Sequence, residues 1–392
     1  MIALAAFFGF AAWVYLIFFH RDFWRADQRL PRGFTLPSTW PSVVAVVPAR
    51  NEAETIGAVV AALVNQNYAG AFRVVVVDDA SADGTANLAR TAASTSTRLD
   101  VIAAPPLVSG WTGKLWALNT GLTHATQNDG PEFFWLTDAD IVHPPETLSR
   151  LVAKAATDGR DLVSLMVRLR CESFWERRLI PAFIFFFQML YPFPAANDDR
   201  AKTAAAAGGC VLVRRTALEK GGGLDAFKGN IIDDCALAAA VKGAGGKLWV
   251  GLADASHSLR RCETLEPLWD MVRRTAFTQL NHSFVMLFLT LLGLFLAFLA
   301  PPLAVLTAPW HGDGFAALAG LWTWGGMAYA YAPTLRDYGR SPWEGLLLPL
   351  AALLYAGMTF DSGVAHWRQR GGHWKGRNYN PSSSAGNLSE SP

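Results

Sequence analysis

Charge is absent from four long stretches toward the two ends of this chain, and such apolar stretches are buried in protein or in lipid. Met1 to Phe19 (MIALAAFFGFAAWVYLIFF) is the first, about the length a bilayer span needs. His20, Arg21 and Arg25 follow at once. A cleaved leader carries its positive charge before the apolar run and a small-residue cleavage site after it. Here the order is reversed, so residues 1–20 are expected to be an uncleaved transmembrane anchor, with the chain that follows on the cytoplasmic side by the positive-inside rule. A buried core helix is the alternative.

Phe284 to Trp310, Phe315 to Leu335 and Gly345 to Phe360 are the other three stretches. Pro301-Pro302 interrupts the first, the second is rich in Gly and Trp, and the third has only sixteen residues. Trp310, Trp343 and Trp367 stand at their edges, where amphipathic rings favour the headgroup layer. Residues 271–370 are therefore expected to form a membrane region with two to three transmembrane helices. The loop with Arg336 and Arg340 and the tail with Arg368, Arg370, Lys375 and Arg377 both read as cytoplasmic. That conflict is resolved if Gly345–Phe360 is re-entrant or interfacial, which brings His373–Arg377 toward a bound phosphate. The Ser-, Asn- and Pro-rich residues 378–392 are expected to be disordered.

Charge is nearly balanced, with 34 basic against 32 acidic residues, so nothing points to nucleic acid as a partner. Cys171, Cys210, Cys235 and Cys262 contain no C-x-x-C pair, which argues against a zinc site and a disulfide framework.

Residues 40–270 read as an α/β domain. Ser42–Val47 and Phe72–Val77 are continuous apolar runs, as expected for strands buried on both faces. Val101–Ala103 and Glu132–Leu136 are further strands. Helices are expected over Glu52–Asn65, from Gly84 onward, and over Lys114–Ala125, with Leu115, Leu118 and Leu122 on one side. Strands alternating with helices imply a mostly parallel sheet covered on both faces. Ligands bind such sheets at the carboxyl ends of the strands. The polar clusters Arg50-Asn51-Glu52, Asp78-Asp79 and Asp138-Ala139-Asp140 fall at those ends.

These clusters suit transfer from a nucleotide sugar. Asp78 to Thr85 (DDASADGT) can accept hydrogen bonds from a base or ribose, and Gly84 permits a tight turn. Asp138 and Asp140 offer hard carboxylate oxygens for Mg²⁺ or Mn²⁺ bridging a diphosphate. Asp233-Asp234 opens an apolar helix and could supply a general base, in a place where the helix N-terminus stabilises negative charge. Each cluster alone has a plainer reading. A lone D-x-D or an acidic pair is more often a cap or turn. Arg273-Arg274, just before an apolar run, is more often an interfacial anchor than a phosphate ligand.

The order is harder to dismiss than its parts. Pro48-Ala49-Arg50-Asn51-Glu52, then VVVVDDASADGT, Gly113-Lys114 with Ala117-Leu118-Asn119, Asp138-Ala139-Asp140, Gly208-Gly209 and Asp233-Asp234 resembles the family 2 glycosyltransferases. FWERRLIPAFIFFFQMLYPF, AAAAGGCVLVRR, IIDDCALA and RRTAFTQL resemble the hopanoid-biosynthesis-associated bacterial branch. The resemblance implies a GT-A fold and a metal-dependent, inverting hexosyltransferase. Pro48, Arg50 and Glu52 would line the nucleoside pocket with Asp78 or Asp79, and Lys114 would approach the donor. Asp138 and Asp140 would sit at diphosphate and metal, with Asp140 the direct ligand, and Asp234 of the Asp233-Asp234 pair would be the base. The donor is expected to be a UDP-sugar and the acceptor a membrane lipid, and the protein to be a multi-pass protein of the bacterial inner membrane with a cytoplasmic catalytic domain. Processive members carry Q-x-x-R-W after the acidic pair. Here the comparable stretch is Asp270-Met271-Val272-Arg273-Arg274-Thr275, which favours a single transfer and leaves Arg273 or Arg274 to reach the diphosphate. Two rival readings are a nucleotidylyltransferase, which would place a Gly-rich basic loop where this chain has PARNEAE, and a membrane scaffold or transporter component with a degenerate transferase domain.

The segment Phe174–Phe193 lies between the two acidic sites, which must share a compartment, so it cannot cross the membrane once. It is expected to be a helix lying in the interface, with a buried core helix as the alternative.

Overall fold

The computed structural model describes residues 2–31, 33, 37, 39–368, 373–374 and 377–378. They fall into two compact units. One contains Gln28–Arg170 and Ala195–Arg261; the other contains Met1–Asp27, Cys171–Pro194 and Cys262–Gly371. Helix Phe174–Leu190, inside the span read from sequence as the α/β domain, and helix Leu265–Gln279, which begins at the end of that span, are thus grouped with the apolar helices.

The first unit is built on one eight-stranded sheet. Its strands are Val43–Ala49 (β1), Phe72–Asp78 (β2), Leu99–Ala103 (β3), Phe133–Leu136 (β4), Ile141–Val142 (β5), Leu162–Arg168 (β6), Val211–Arg214 (β7) and Leu248–Ser258 (β8). The order is β3-β2-β1-β4-β7-β6-β8-β5. Strands β1 to β4 pair in parallel, as do β6 and β8; β7 runs antiparallel between β4 and β6, and β5 antiparallel to β8.

The valine-rich strands feed two cores because side chains alternate across a pleated strand. Val43, Ala45 and Val47 pack on one face with Ile56, Val59, Val60 and Leu63 of the helix Ile56–Val64. Val44 and Val46 pack on the other with Leu115, Leu118 and Leu122 of the helix Gly113–Asn128. Gly121 lets that helix approach, since a Cβ there would overlap Val46 and Val77. The parallel register puts Ala49 beside Asp78 and Val46 beside Leu136, so three polar turns emerge side by side at one edge.

The second unit is helical: Ile2–Phe18, Phe174–Leu190, Leu265–Gln279, Phe284–Leu306, Gly314–Asp337 and Leu348–Trp367. Among the described residues two helices are long and apolar enough to cross a membrane, Phe284–Leu306 and Pro342–Trp367, of 23 and 26 residues. The latter absorbs Gly345–Phe360 into a longer helix, so shortness no longer marks that run as re-entrant. Ile2–Phe18 is apolar but only 17 residues long. Gly314–Asp337 is helical throughout, but its Gly, Trp and Tyr content keeps it out of that pair. Pro301-Pro302 leaves its mark as a π-helical turn at Phe295–Leu299. Pro301 has no N–H for the carbonyl of Ala297 four residues back; the buried Trp13 indole donates to that carbonyl instead, at 2.9 Å.

Helix Phe174–Leu190 starts at a capping box of Ser173 and Glu176. Its Leu179, Ile180, Ala182, Ile184 and Phe185 are buried, and Phe185 meets Trp13, Phe23 and Tyr331, which makes it a core helix of this unit along that face. All four cysteines are free. Arg370, Lys375 and residues 379–392 lie outside the described residues; His373–Trp374 and Arg377–Asn378 pair as a short antiparallel ribbon.

Candidate active site

The turns after β1 and β2 brace each other. Three successive backbone N–H groups after β1 donate to side chains from the DDASADGT turn: Asn51 to Ser81 Oγ (3.0 Å), Glu52 to Thr85 Oγ1 (2.9 Å) and Ala53 to Asp83 Oδ2 (3.0 Å). Asn51 answers by accepting from the Ala82 N–H at 2.9 Å. Asn51 and Ala80 are held at φ 50° and 53°, a region L-residues seldom enter and Asn enters most readily. Ser81, Asp83 and Thr85 are thus committed to shaping the edge. Asp78 is not: its Oδ2 accepts from the Ser81 N–H at 3.4 Å, and its Oδ1 is buried with no hydrogen-bond partner. Asp79 is buried, and the Arg50 guanidinium donates to its carbonyl and lies 3.7 Å from its carboxylate.

Beside these turns is a cleft lined by Pro48, Lys114, Asp138, Gly208, Asp233 and Asp234 above an apolar floor. Lys114, on the first turn of its helix, places Nζ 3.0 Å from Asp138 Oδ1 and 3.1 Å from Asp233 Oδ2. One ammonium therefore ties the end of β4 to the start of the helix Asp233–Gly243. Asp233 and Asp234 occupy the first turn of that helix, and Ile232 is the capping position. Asp234 is clamped through both oxygens: Oδ2 accepts from Gly208 N–H (2.9 Å) and Oδ1 from Cys235 N–H (2.8 Å). Gly208 forms part of the cleft wall, and a Cβ there would be in ordinary contact with Lys114 Nζ at 3.4 Å and the Asp234 side chain at 3.6 Å.

Electrostatics follow from this packing. Burial, reinforced by Asp233, pushes Asp234 up to about 6, against the opposing pull of Lys114 and the two backbone N–H groups. Burial also raises Asp138, with Lys114 opposing and Asp140 and Asp233 adding to the rise. Burial acts to lower the Lys114 ammonium, but Asp138, Asp233 and Asp234 outweigh it and hold Lys114 charged.

Asp140 is 7% exposed and faces a partner that the motif does not contain. Its Oδ2 accepts from Ser258 Oγ (2.9 Å) and lies 3.3 Å from Arg260 Nε; Arg260 Nη2 also reaches Glu52 Oε1 at 3.4 Å. Ser258 ends β8 and Arg260 follows it, a pair that reading the sequence passed over. The one local signal was a basic pair, Arg260-Arg261, directly after a strand. Arg273 and Arg274 lie on Leu265–Gln279 in the helical unit, where Arg273 pairs with Asp270 (3.4 Å) and Asp361 (3.6 Å).

Residues 44–222, which hold every one of these turns except Asp233-Asp234 and the end of β8, match the family model described as Glycosyl transferase family 2. This segment is similar to that family. The chain is also similar to curated proteins over part of their lengths. An N-acetylglucosaminyltransferase of Mesorhizobium japonicum is 29% identical over 189 residues, 46% of this chain and 41% of its own. An undecaprenyl-phosphate 4-deoxy-4-formamido-L-arabinose transferase of Aeromonas hydrophila is 29% identical over 142 residues, 35% of this chain and 40% of its own. The matched stretches thus span about two fifths of these relatives. A solved mannosyltransferase of Pyrobaculum calidifontis, in complex with GDP-Man and Mn²⁺, covers 94% of this chain and 99% of its own at 20% identity, with a TM-score of 0.54. At that identity the likeness is one of fold, and it agrees with a GT-A-like α/β architecture.

Proposed function

We propose that this protein transfers one sugar from a nucleoside diphosphate to a lipid hydroxyl, with inversion at the anomeric carbon. The observation that carries the reading is the convergence of Lys114, Asp138, Asp233 and a clamped Asp234 in one cleft at the strand ends of a family 2 domain. The acceptor oxygen attacks the anomeric carbon, the bond to the diphosphate breaks, and the hydroxyl proton passes to Asp234. Pro48 and Asp78 contact the nucleoside, and Arg50 holds Asp79 in place behind them. Asp140, with Asp138, fits Mg²⁺ or Mn²⁺. Such ions take one or two protein carboxylates and fill the remaining positions with phosphate oxygens and water, consistent with no cluster of three or more His, Cys, Asp or Glu among the described residues. The bound ion would neutralise the departing diphosphate.

Membrane attachment is supported by the two long apolar helices, and a lipid acceptor by the undecaprenyl-phosphate named for the arabinose transferase. We place the protein in the bacterial inner membrane with the transferase domain in the cytoplasm. The acceptor class is a membrane lipid, a hopanoid by the branch resemblance. The test incubates detergent-purified protein with UDP- and GDP-sugars and a lipid extract, and measures free nucleoside diphosphate together with sugar entering the organic phase. Release with lipid labelling is the expected result. The scaffold reading would replace this one if no donor gave nucleotide release.

Two variants probe the donor side. Asp78→Ala removes a carboxylate with a spare buried oxygen, and is expected to weaken UDP or GDP binding about 10-fold or more, since hydrogen bonds to charged groups contribute ~1.5–3 kcal/mol. Calorimetry reads this directly, and unchanged affinity would reduce Asp78 to a partner of the Ser81 turn. Arg260→Ala removes a half-exposed counter-ion from Asp140, so the nucleotide-free protein should bind Mn²⁺ about 2- to 5-fold more tightly by electron paramagnetic resonance, the scale of an exposed ion pair.

A further inference from the structure

Among the described residues His143 is the one imidazole buried in the sheet unit beside the acidic cleft, 1% exposed, and the reaction described above does not use it. It follows the D-x-D turn, on the residue after β5, and its ring lies 4.7 Å from the buried Trp135 ring of β4. Both nitrogens are engaged: Nε2 is 2.9 Å from Thr137 Oγ1 and Nδ1 is 2.9 Å from Ser256 Oγ. The direction of the protons can be deduced. Thr137 Oγ1 donates its only hydrogen to the Gly209 carbonyl at 2.9 Å. It can therefore only accept from the ring, so Nε2 carries the proton and Nδ1 accepts from the Ser256 hydroxyl.

This chain of donors joins three segments that the cleft depends on. Thr137 immediately precedes Asp138. Gly209 immediately follows Gly208, whose N–H clamps Asp234. Ser256 lies two residues before Ser258, which holds Asp140. Gly209 is closely packed, and a Cβ there would come within 2.9 Å of Val167 Cγ2. We infer that the Thr137–His143–Ser256 chain is a positioning device that sets the distance between the carboxylates at the diphosphate and the base at Asp234. His143 touches neither substrate nor metal in this arrangement; it acts through Thr137 and the Gly208-Gly209 backbone. A neutral ring suits the task, since an imidazolium would have to donate from Nδ1 and Ser256 would then turn its hydrogen away. Burial, with His257 adding to it, lowers His143 to about 3, so the ring stays neutral wherever the protein is folded and active.

The inference rests on the proposed transfer reaction, and the test separates the two. Full-length protein in detergent is assayed for nucleoside diphosphate release from the donor on which the wild type works best. If the wild type releases none from any donor, the transfer reading fails, while the imidazole chain is still tested by calorimetry with UDP and GDP in the presence and absence of Mn²⁺. His143→Phe keeps the ring volume against Trp135 and removes both hydrogen bonds. His143→Gln restores a donor near Nε2 without restoring the full chain. Positioning predicts that His143→Phe lowers kcat about 10- to 100-fold per folded molecule while donor KM changes less than about 3-fold, and that His143→Gln recovers at least a third of the logarithmic loss. In the binding assay, run with and without Mn²⁺, it predicts metal-free nucleotide affinity within about 3-fold of wild type and a smaller gain on adding Mn²⁺. Wild-type kcat in His143→Phe overturns the inference. So does a loss of activity that merely follows the folded fraction in a thermal scan, with no recovery in His143→Gln.

Discussion

Asp234→Asn is expected to lower kcat by about two to four orders of magnitude, the usual worth of a general base. The carboxylate lines the cleft while Gly208 and Cys235 donate to its two oxygens. Asparagine must turn its NH₂ against one of those N–H groups, so rates are to be taken per folded molecule, with a thermal scan alongside. The pH profile gives a second, independent readout. Asp234 accepts a proton only when ionised, and burial together with Asp233 pushes it up to about 6. Activity is therefore expected to be full above that pH and to fall about tenfold per unit below it, and Asp234→Asn should flatten the limb. Lys114→Gln removes a charge that favours the ionised form, so the limb should move to higher pH in that variant. An acid limb that persists unchanged in Asp234→Asn would assign the base to another group.

Asp140→Asn is expected to abolish metal-stimulated transfer, with kcat falling at least about 100-fold, equivalent to ~2.7 kcal/mol of lost transition-state stabilisation. Asparagine keeps an oxygen for the Ser258 hydroxyl, so the strand end should survive where alanine would leave it without an acceptor. The check is twofold: a Mn²⁺ and Mg²⁺ activation curve, and the paramagnetic signal of Mn²⁺ bound with nucleoside diphosphate. Wild-type stimulation by both ions would transfer the role to Asp138 alone. Asp138→Asn distinguishes that outcome, because it also releases Lys114 from one of its two ion pairs and should shift the Asp234 limb.

Much of this site is legible in the chain because its elements are local. Continuous runs of valine report a strand buried on both faces, and acidic clusters directly after such strands report the carboxyl edge of a parallel sheet. The Gly113–Asn128 helix, the Asp233–Gly243 helix and the β1 to β4 strands stand close to where periodicity puts them. Resemblance in motif order then named a family that the domain match bears out over residues 44–222. The extent of the apolar helices was less legible, because charge bias concerns loops and says nothing of helix length. A sixteen-residue apolar run thus proved to be part of a 26-residue helix.

The amino-acid sequence by itself determined the sheet with its two cores, the strand-end position of Asp78, Asp138 and Asp140, and the segregation of apolar helices from the polar middle. These depend on the spacing of neighbours along the chain, and strand and helix periods are read directly from such spacing. Only the tertiary structure decided which acidic residues shape the cleft and which face into it. Within one short run it commits Asp83 to the backbone N–H of Ala53 and leaves an Asp78 oxygen unengaged. It brings Arg260 to Glu52 across 208 residues and Ser256 to His143 across 113, and it keeps Arg273 with Asp270 and Asp361. Such pairings arise where strand ends meet. Which ends meet follows from sheet order and register, and a hydrogen bond between side chains so far apart leaves no trace in the local pattern of either.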